Sequence, residues 1–366
     1  MHSGQRLTSL DAFRGATIAL MVLVNTPGTG SAVYGPLRHA EWDGWTITDV
    51  VFPSFVWIVG VAITLALGRR LQQGVAKSAL LRQAVKRAAI LFTLGLLVYA
   101  FPKFDVSTFR ILGVLQRIAI CYLAASVIYL YCSLRAQLAV TAALLGVYWA
   151  AMKLIPVPGH GAGFLDVERN LAHYVDRIIL GSHNYEHTRT WDPEGILSTL
   201  PAIATAMLGV MAGHILASRA DLRNKVRLIL SIGAGLLAAG WICDFWLPIN
   251  KKLWTSSFTL FMAGLDFLLF GAFVWVADIA GQKRIFQPFV IFGMNAIAVY
   301  MASELVDITL HSTPMGARSA RVWLYETFFA PLASPHNASL LYAVCYTLVM
   351  FAIAWVMYRR KWFVRV

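Results

Sequence analysis

Apolar residues run along this chain in ten long blocks separated by short polar stretches. The blocks cover residues 10–26, 47–68, 86–101, 111–131, 137–155, 196–217, 228–247, 258–279, 288–308 and 339–358. A helix needs roughly 17–25 apolar residues to cross about 30 Å of hydrocarbon, and all but the short third block reach that length. The pattern predicts an all-α, polytopic membrane protein with about ten transmembrane helices. We read residues 1–366 as a single membrane domain with larger external loops at about 27–46, 156–195 and 309–338. Arg6 ahead of the first block resembles the charged start of a signal peptide. No small-residue cleavage site follows, and Asp11 and Arg14 interrupt the run, so an uncleaved first span is expected.

Composition strengthens this picture. Charged residues make up 13% of the chain and hydrophobic residues 58%, whereas soluble domains carry about 25% charged residues. The four cysteines fall within or at the ends of blocks and form no CxxC, which favours structural thiols over a disulfide or metal framework.

Charge gives the expected orientation. Most of the 31 basic residues cluster in alternate connections, notably Arg69, Arg70, Lys77, Arg82, Lys86 and Arg87, then Arg219, Arg223, Lys225 and Arg227, and finally Arg359, Arg360, Lys361 and Arg365. The positive-inside rule then puts both termini in the cytoplasm. The net charge of +13 reflects that topology and anionic headgroups, not nucleic acid.

Candidate chemistry lies where polar groups interrupt apolar ones. Charges within membrane spans normally face a polar cavity or a partner. Asp11 and Arg14 stand three apart and can pair, while Arg117 and Asp266 sit deeper, and Asn25 and Asn295 add amides that need hydrogen-bond partners. Between the first two blocks, residues 38–49 (RHAEWDGWTITD) bring a histidine and three carboxylates to a membrane boundary. The loop 156–195 holds four histidines and several carboxylates. Its spacing argues against metal, because His183 and His187 lie among Gly181, Asn184 and Thr188 and no HExxH is present.

Together these stretches carry a resemblance. RLTSLDAFRG at 6–15, Val24-Asn25, HAEWDGWTITDVVFP at 39–53, GVLQR at 113–117, WDPEG at 191–195, PINKKLW at 248–254 and GMNAI at 293–297 occur in the order found in the heparan-α-glucosaminide N-acetyltransferase family. The chain resembles especially the shorter bacterial relatives linked to N-acetylglucosamine use. The resemblance implies a multi-pass protein of the bacterial inner membrane. It would take acetyl-CoA from the cytosolic side and deliver the acetyl group to an amino sugar on the far side, with acetyl-CoA as co-substrate and no metal. Partners expected for such a chain are acetyl-CoA, a small amino-sugar acceptor and the bilayer, with homodimerisation open. His39 matches the family's active-site histidine and Asn25 its neighbouring asparagine. The large lumenal N-terminal region of the lysosomal enzyme, and the span after it, have no counterpart here, and the stretch between Asn25 and His39 is longer.

The residues themselves agree with this task. Histidine suits proton acceptance from an attacking amine at neutral pH, or could carry the acetyl group itself. Asp43 or Asp49 would orient the imidazole or hold the cationic amine, and Asn25 would donate to the developing oxyanion. Arg14, and less strongly Arg87, would meet the coenzyme phosphates, while Arg117 and Asn295 would line the path of its pantetheine arm. Asp192, Glu194, Asn250, Lys251 and Trp254, with Trp42 and Trp45, form the expected sugar site. The rival reading is an amino-sugar or lipid-linked sugar transporter. Against it stand the absence of a visible internal repeat and the scarcity of Gly- or Pro-broken paired spans.

Overall fold

The computed structural model describes residues 7–364; Arg6 and Arg365, counted above among the sequence signals, lie outside them. Among the described residues, thirteen α-helices account for most of the chain. They are α1 (Thr8–Asn25), α2 (Ile47–Gln72), α3 (Lys77–Ala100), α4 (Val114–Tyr131), α5 (Leu134–Leu154), α6 (Leu171–Ile179), α7 (Thr199–Ala217), α8 (Leu222–Cys243), α9 (Ser256–Val274), α10 (Gln287–Met294), α11 (Ala296–Ser312), α12 (Ala320–Leu324) and α13 (Pro335–Arg359). A two-residue hairpin, β1 (Pro314–Met315) with β2 (Arg318–Ser319), precedes α12.

Among the described residues, eight helices are long and apolar enough to cross a membrane. The pair α10 and α11 makes a ninth if counted as one span, bent by 78°. Two of these findings depart from the sequence reading. The first block does form a helix, but with Asp11, Arg14 and Asn25 in 18 residues α1 is not among the eight. The block at 288–308 is broken at Asn295, where no proline signals a break. A third difference is that α3 begins at Lys77, nine residues before the expected start. Its first turns carry Lys77, Arg82, Lys86 and Arg87, which hide a helix from a count of apolar residues alone.

Burial orders the helices. In α2 and α7, 72% of the apolar window is buried, against 22% in α5 and α8, so the former pair is central and the latter faces outward. Glycines allow the central contacts. A Cβ at Gly60 would overlap the carbonyl of Ala206, and one at Gly209 that of Trp57, so α2 and α7 meet backbone to backbone. Gly15 of α1 and Gly293 of α10 stand in the same relation to Phe289 and Asp11. Small residues give membrane helices this close approach. Around these contacts Phe13, Trp57, Phe267 and Phe270 pack edge to face in the core.

The chain thus presents two ends. One, the basic end, carries the start of α1 and the connections after α2, α7 and α9. The other, the loop end, carries residues 26–46, 155–198, 244–255 and 313–334.

Candidate active site

At the loop end, a capping box fixes Asp49. Its Oδ2 accepts from the Thr46 backbone N–H at 3.1 Å, as expected for a residue at the third position of a helix, and also from Ala40 at 3.0 Å. The other oxygen meets His39 Nδ1 at 2.7 Å. Asp49 is buried, whereas the His39 side chain is 49% exposed, so the imidazole is held through Nδ1, and Nε2 has no hydrogen-bond partner among the described residues. Lys251 completes the group, with Nζ 3.1 Å from His39 Nδ1 and 3.6 Å from Asp49 Oδ1. Burial pulls the Lys251 ammonium below its ordinary value, with Asp49 opposing that shift.

Lys251 reaches this position because its segment is stitched to the histidine loop. The Gly44 N–H donates to the Ile249 carbonyl at 2.7 Å, Asn250 Nδ2 to Asp43 Oδ1 at 3.1 Å, and Lys252 Nζ to the Glu41 carbonyl. Asp43 and Asn250 therefore serve the framework around His39. Asn250 is fully buried, with its Oδ1 accepting from Leu253. Trp254 is also fully buried, its Nε1 donating to Thr205 at 3.1 Å and its ring lying 5.0 Å from the Arg117 guanidinium. Its face is covered by protein, which differs from the expected sugar platform. Trp42 packs against His173 and Trp191, and its Nε1 donates to Leu165, tying the long loop over the site.

A second polar assembly lies deeper. Arg110 donates to both oxygens of Asp192, Nε at 2.7 Å, and to Glu194, while Nη1 meets the Tyr99 hydroxyl at 3.1 Å and the Tyr185 ring covers its plane at 4.4 Å. Asp176 then holds the backbone of the same turn, accepting from Ile196 at 2.9 Å and Asp192 at 3.3 Å. Burial pushes the Asp176 carboxyl up to about 6. Gly195 is required here, since a Cβ would overlap the Asp176 carboxylate. Arg117 donates to the Gly195 carbonyl at 3.0 Å and to Ser198, which anchors α4 to this turn. The carboxylates expected to bind sugar are thus engaged by an arginine, and Arg117 supports the turn that carries them. His173, stacked on Trp191 at 4.0 Å, is held down to about 4 by burial.

Beneath the loop end lies a cavity of about 380 Å³, within the range of small-molecule sites. Arg14, Arg87 and Val364 stand at its basic end, and Met21, Phe55, Leu115 and Tyr300 at its far end, with apolar side chains between. Arg14 also pairs with Asp11 at 3.4 Å. Asn295, at the bend between α10 and α11, is buried and accepts from the Val364 N–H at 3.0 Å, while its neighbours Met294 and Ala296 line the cavity. Asn25 lies one turn beyond Met21 on the same side of α1. Asp49 lies six residues, about 9 Å of helix, beyond Phe55. The cavity therefore points from two arginines towards the end that carries Asn25 and the His39–Asp49 pair.

Sequence reasoning did not single out Arg110, Asp176 or Lys251's hold on the imidazole. A lone arginine in the apolar run Phe109-Arg110-Ile111-Leu112 was the available signal, the same one that marked Arg117.

Residues 6–240 match the family model described as heparan-alpha-glucosaminide N-acetyltransferase, catalytic. The chain is 29% identical to the mouse (Mus musculus) heparan-alpha-glucosaminide N-acetyltransferase over 417 residues, covering 99% of this chain and 60% of the relative. It is 31% identical to the human (Homo sapiens) protein of the same name over 361 residues, covering 82% of this chain and 53% of the relative. The chain thus spans somewhat over half the length of the curated relatives it matches.

Proposed function

Because the chain belongs to the heparan-alpha-glucosaminide N-acetyltransferase family, we propose that it moves the acetyl group of acetyl-CoA to the amine of a glucosamine-type sugar, with the two reactants arriving from opposite ends of the cavity. The basic end faces the cytoplasm in this reading, since the clusters at 69–87 and 219–227 flank it and positive residues stay inside. In a bacterial cell that places the protein in the inner membrane.

One observation carries the reading: a buried carboxylate holds a half-exposed histidine beyond the far end of a cavity whose other end bears Arg14 and Arg87. The arginines suit the coenzyme's phosphates, which form stronger charge-assisted contacts than neutral groups do. The apolar bore suits the pantetheine arm, bringing the thioester towards Asn25. Asp49 accepts from Nδ1–H and so leaves Nε2 as the basic nitrogen. As the amine nitrogen bonds to the thioester carbon, Nε2 accepts its proton. The Asn25 amide donates to the carbonyl oxygen as it gains charge. The carbon–sulfur bond then breaks, and the leaving thiolate takes up a proton, so that the products are the amide and free coenzyme.

Acetyl-radiolabelled coenzyme supplied to the basic side of oriented vesicles, with glucosamine on the other side, tests this reading. Label in the sugar is the expected result. Unlabelled sugar crossing the membrane would instead make the protein a transporter, a class with which it shares its one bent helix pair among the described residues.

A further inference from the structure

We propose that the Glu304 carboxylate is the anchor for the acceptor's ammonium group. The inference rests on the acetyl-transfer reading but concerns a residue outside the His39 group. Tyr300 lines the far end of the cavity, and Glu304 stands four residues further along α11, one helical turn beyond it on the same side. Asn25 has the same relation to Met21 on α1, and α1 packs against α11. A carboxylate and an amide thus flank the point where the cavity ends.

The surroundings of Glu304 leave its charge open. Tyr99 of α3, Tyr300 and Asp307 of α11, Tyr346 of α13 and Arg110 are the groups within electrostatic reach. Arg110 is already engaged by Asp192 and Glu194, and Arg321 by Asp307 at 3.2 Å. Among the described residues, no ion pair reaches Glu304 itself, and it is half-buried with part of its surface accessible. A carboxylate so placed in a membrane helix marks a substrate path or a missing partner. The reactants decide which cation it awaits. The coenzyme is anionic and its thioester neutral, whereas a primary amine near neutral pH is an ammonium, which is strongest as a partner when its hydrogen bonds are charge-assisted. A carboxylate there selects an amino sugar over a neutral one at the binding step, and it takes the ammonium's extra proton, so that the nitrogen attacks as the neutral amine.

Calorimetric titration of the detergent-purified protein, saturated with coenzyme A, tests this with glucosamine and glucose as probes. Wild type should prefer glucosamine, and Glu304→Gln should weaken glucosamine binding by roughly 10- to 100-fold, the scale of a lost hydrogen bond to a charged group. Glucose and coenzyme A affinities should be unchanged. A preference for glucosamine that survives in Glu304→Gln, equal weakening of both sugars and the coenzyme, or no glucosamine preference in wild type would each overturn the proposal. Wild-type protein supplies a second measurement that needs no variant: modification of Glu304 by a hydrophobic carbodiimide, followed by mass spectrometry. Glucosamine should protect the residue and glucose should not, and equal labelling with both sugars would also overturn the assignment. Acetyl transfer is not read in either measurement, so a failure of the transfer reading in vesicles is distinct from a failure here.

Discussion

Two carboxylate assemblies sit at the loop end of this bundle, and they differ in what is left over. Around Arg110 every strong group is engaged: two carboxylates bind one guanidinium, two tyrosines flank it, and Asp176 secures the backbone behind. Around His39 the partners are fewer, and one imidazole nitrogen has no hydrogen-bond partner among the described residues. Saturated ionic groups in a buried place hold a structure together, whereas an assembly with an unused nitrogen at its exposed edge can exchange a proton. Asp192 and Glu194 look like substrate ligands in the sequence for the same reason Asp49 looks catalytic, and only the spatial partner separates the two cases.

Variants can break this contrast. Arg110→Leu would leave Asp192 and Glu194 buried without their cation, which should destabilise the protein by about 3–5 kcal/mol. Thermal unfolding in detergent measures this, and Arg110→Leu combined with Asp192→Asn and Glu194→Gln should recover much of the loss. If Arg110→Leu unfolds like wild type, the assembly is not structural. His39→Ala should cost less stability, about 1.5 kcal/mol for the lost hydrogen bond to a charged group, because Asp49 keeps Ala40, Thr46 and Lys251 as partners, while turnover falls by at least about 100-fold. Incubating wild type with labelled acetyl-CoA and no sugar adds a distinction, because retained label would make His39 an acetyl carrier. A smaller effect is expected at the other end of the cavity. Arg14→Ala should raise the coenzyme A dissociation constant about tenfold, with pantetheine analogues losing less. Equal weakening of all ligands would reduce Arg14 to the partner of Asp11.

The smallest effect sharpens the contrast through pH. His173 is held down to about 4 in the folded protein, so the unfolded chain binds its proton first and stability falls as pH drops from 6.5 towards 4. Asp176 is raised to about 6, so its contribution is full below about 3.8 and is lost as pH rises through 6. The two contributions oppose each other in wild type. Asp176→Asn should steepen the acid loss of unfolding temperature between pH 6.5 and 4, and His173→Asn should reverse its sign.

How far the sequence carries depends on the distance between partners. His39 and Asp49 are ten residues apart, near enough for the sequence to offer Asp49 beside Asp43 as the imidazole's partner, and only the fold separates the two, pairing Asp49 with His39 and Asp43 with Asn250. Arg110 and Asp192 are separated by 82 residues, and nothing local to WDPEG names the arginine that occupies it. Most helices were legible because apolar length alone defines them. The start of α3 was hidden by its basic turns. The bend at Asn295 was hidden because Gly293-Met294-Asn295 contains no proline, and the backbone is broken there by its tertiary setting.

The glycine contacts of the central helices also set how this sequence can drift. At Leu138, Val147 or Trp149, exposed on the outer surface of α5, one apolar side chain can replace another without disturbing a packed neighbour. At Gly15, Gly60, Gly209 and Gly293 any replacement adds atoms where a facing carbonyl already lies. Inherited variation should therefore collect on the periphery of the bundle, while a single missense change at any of these four codons is among the shortest routes to a null allele, although none of the four carries any chemistry.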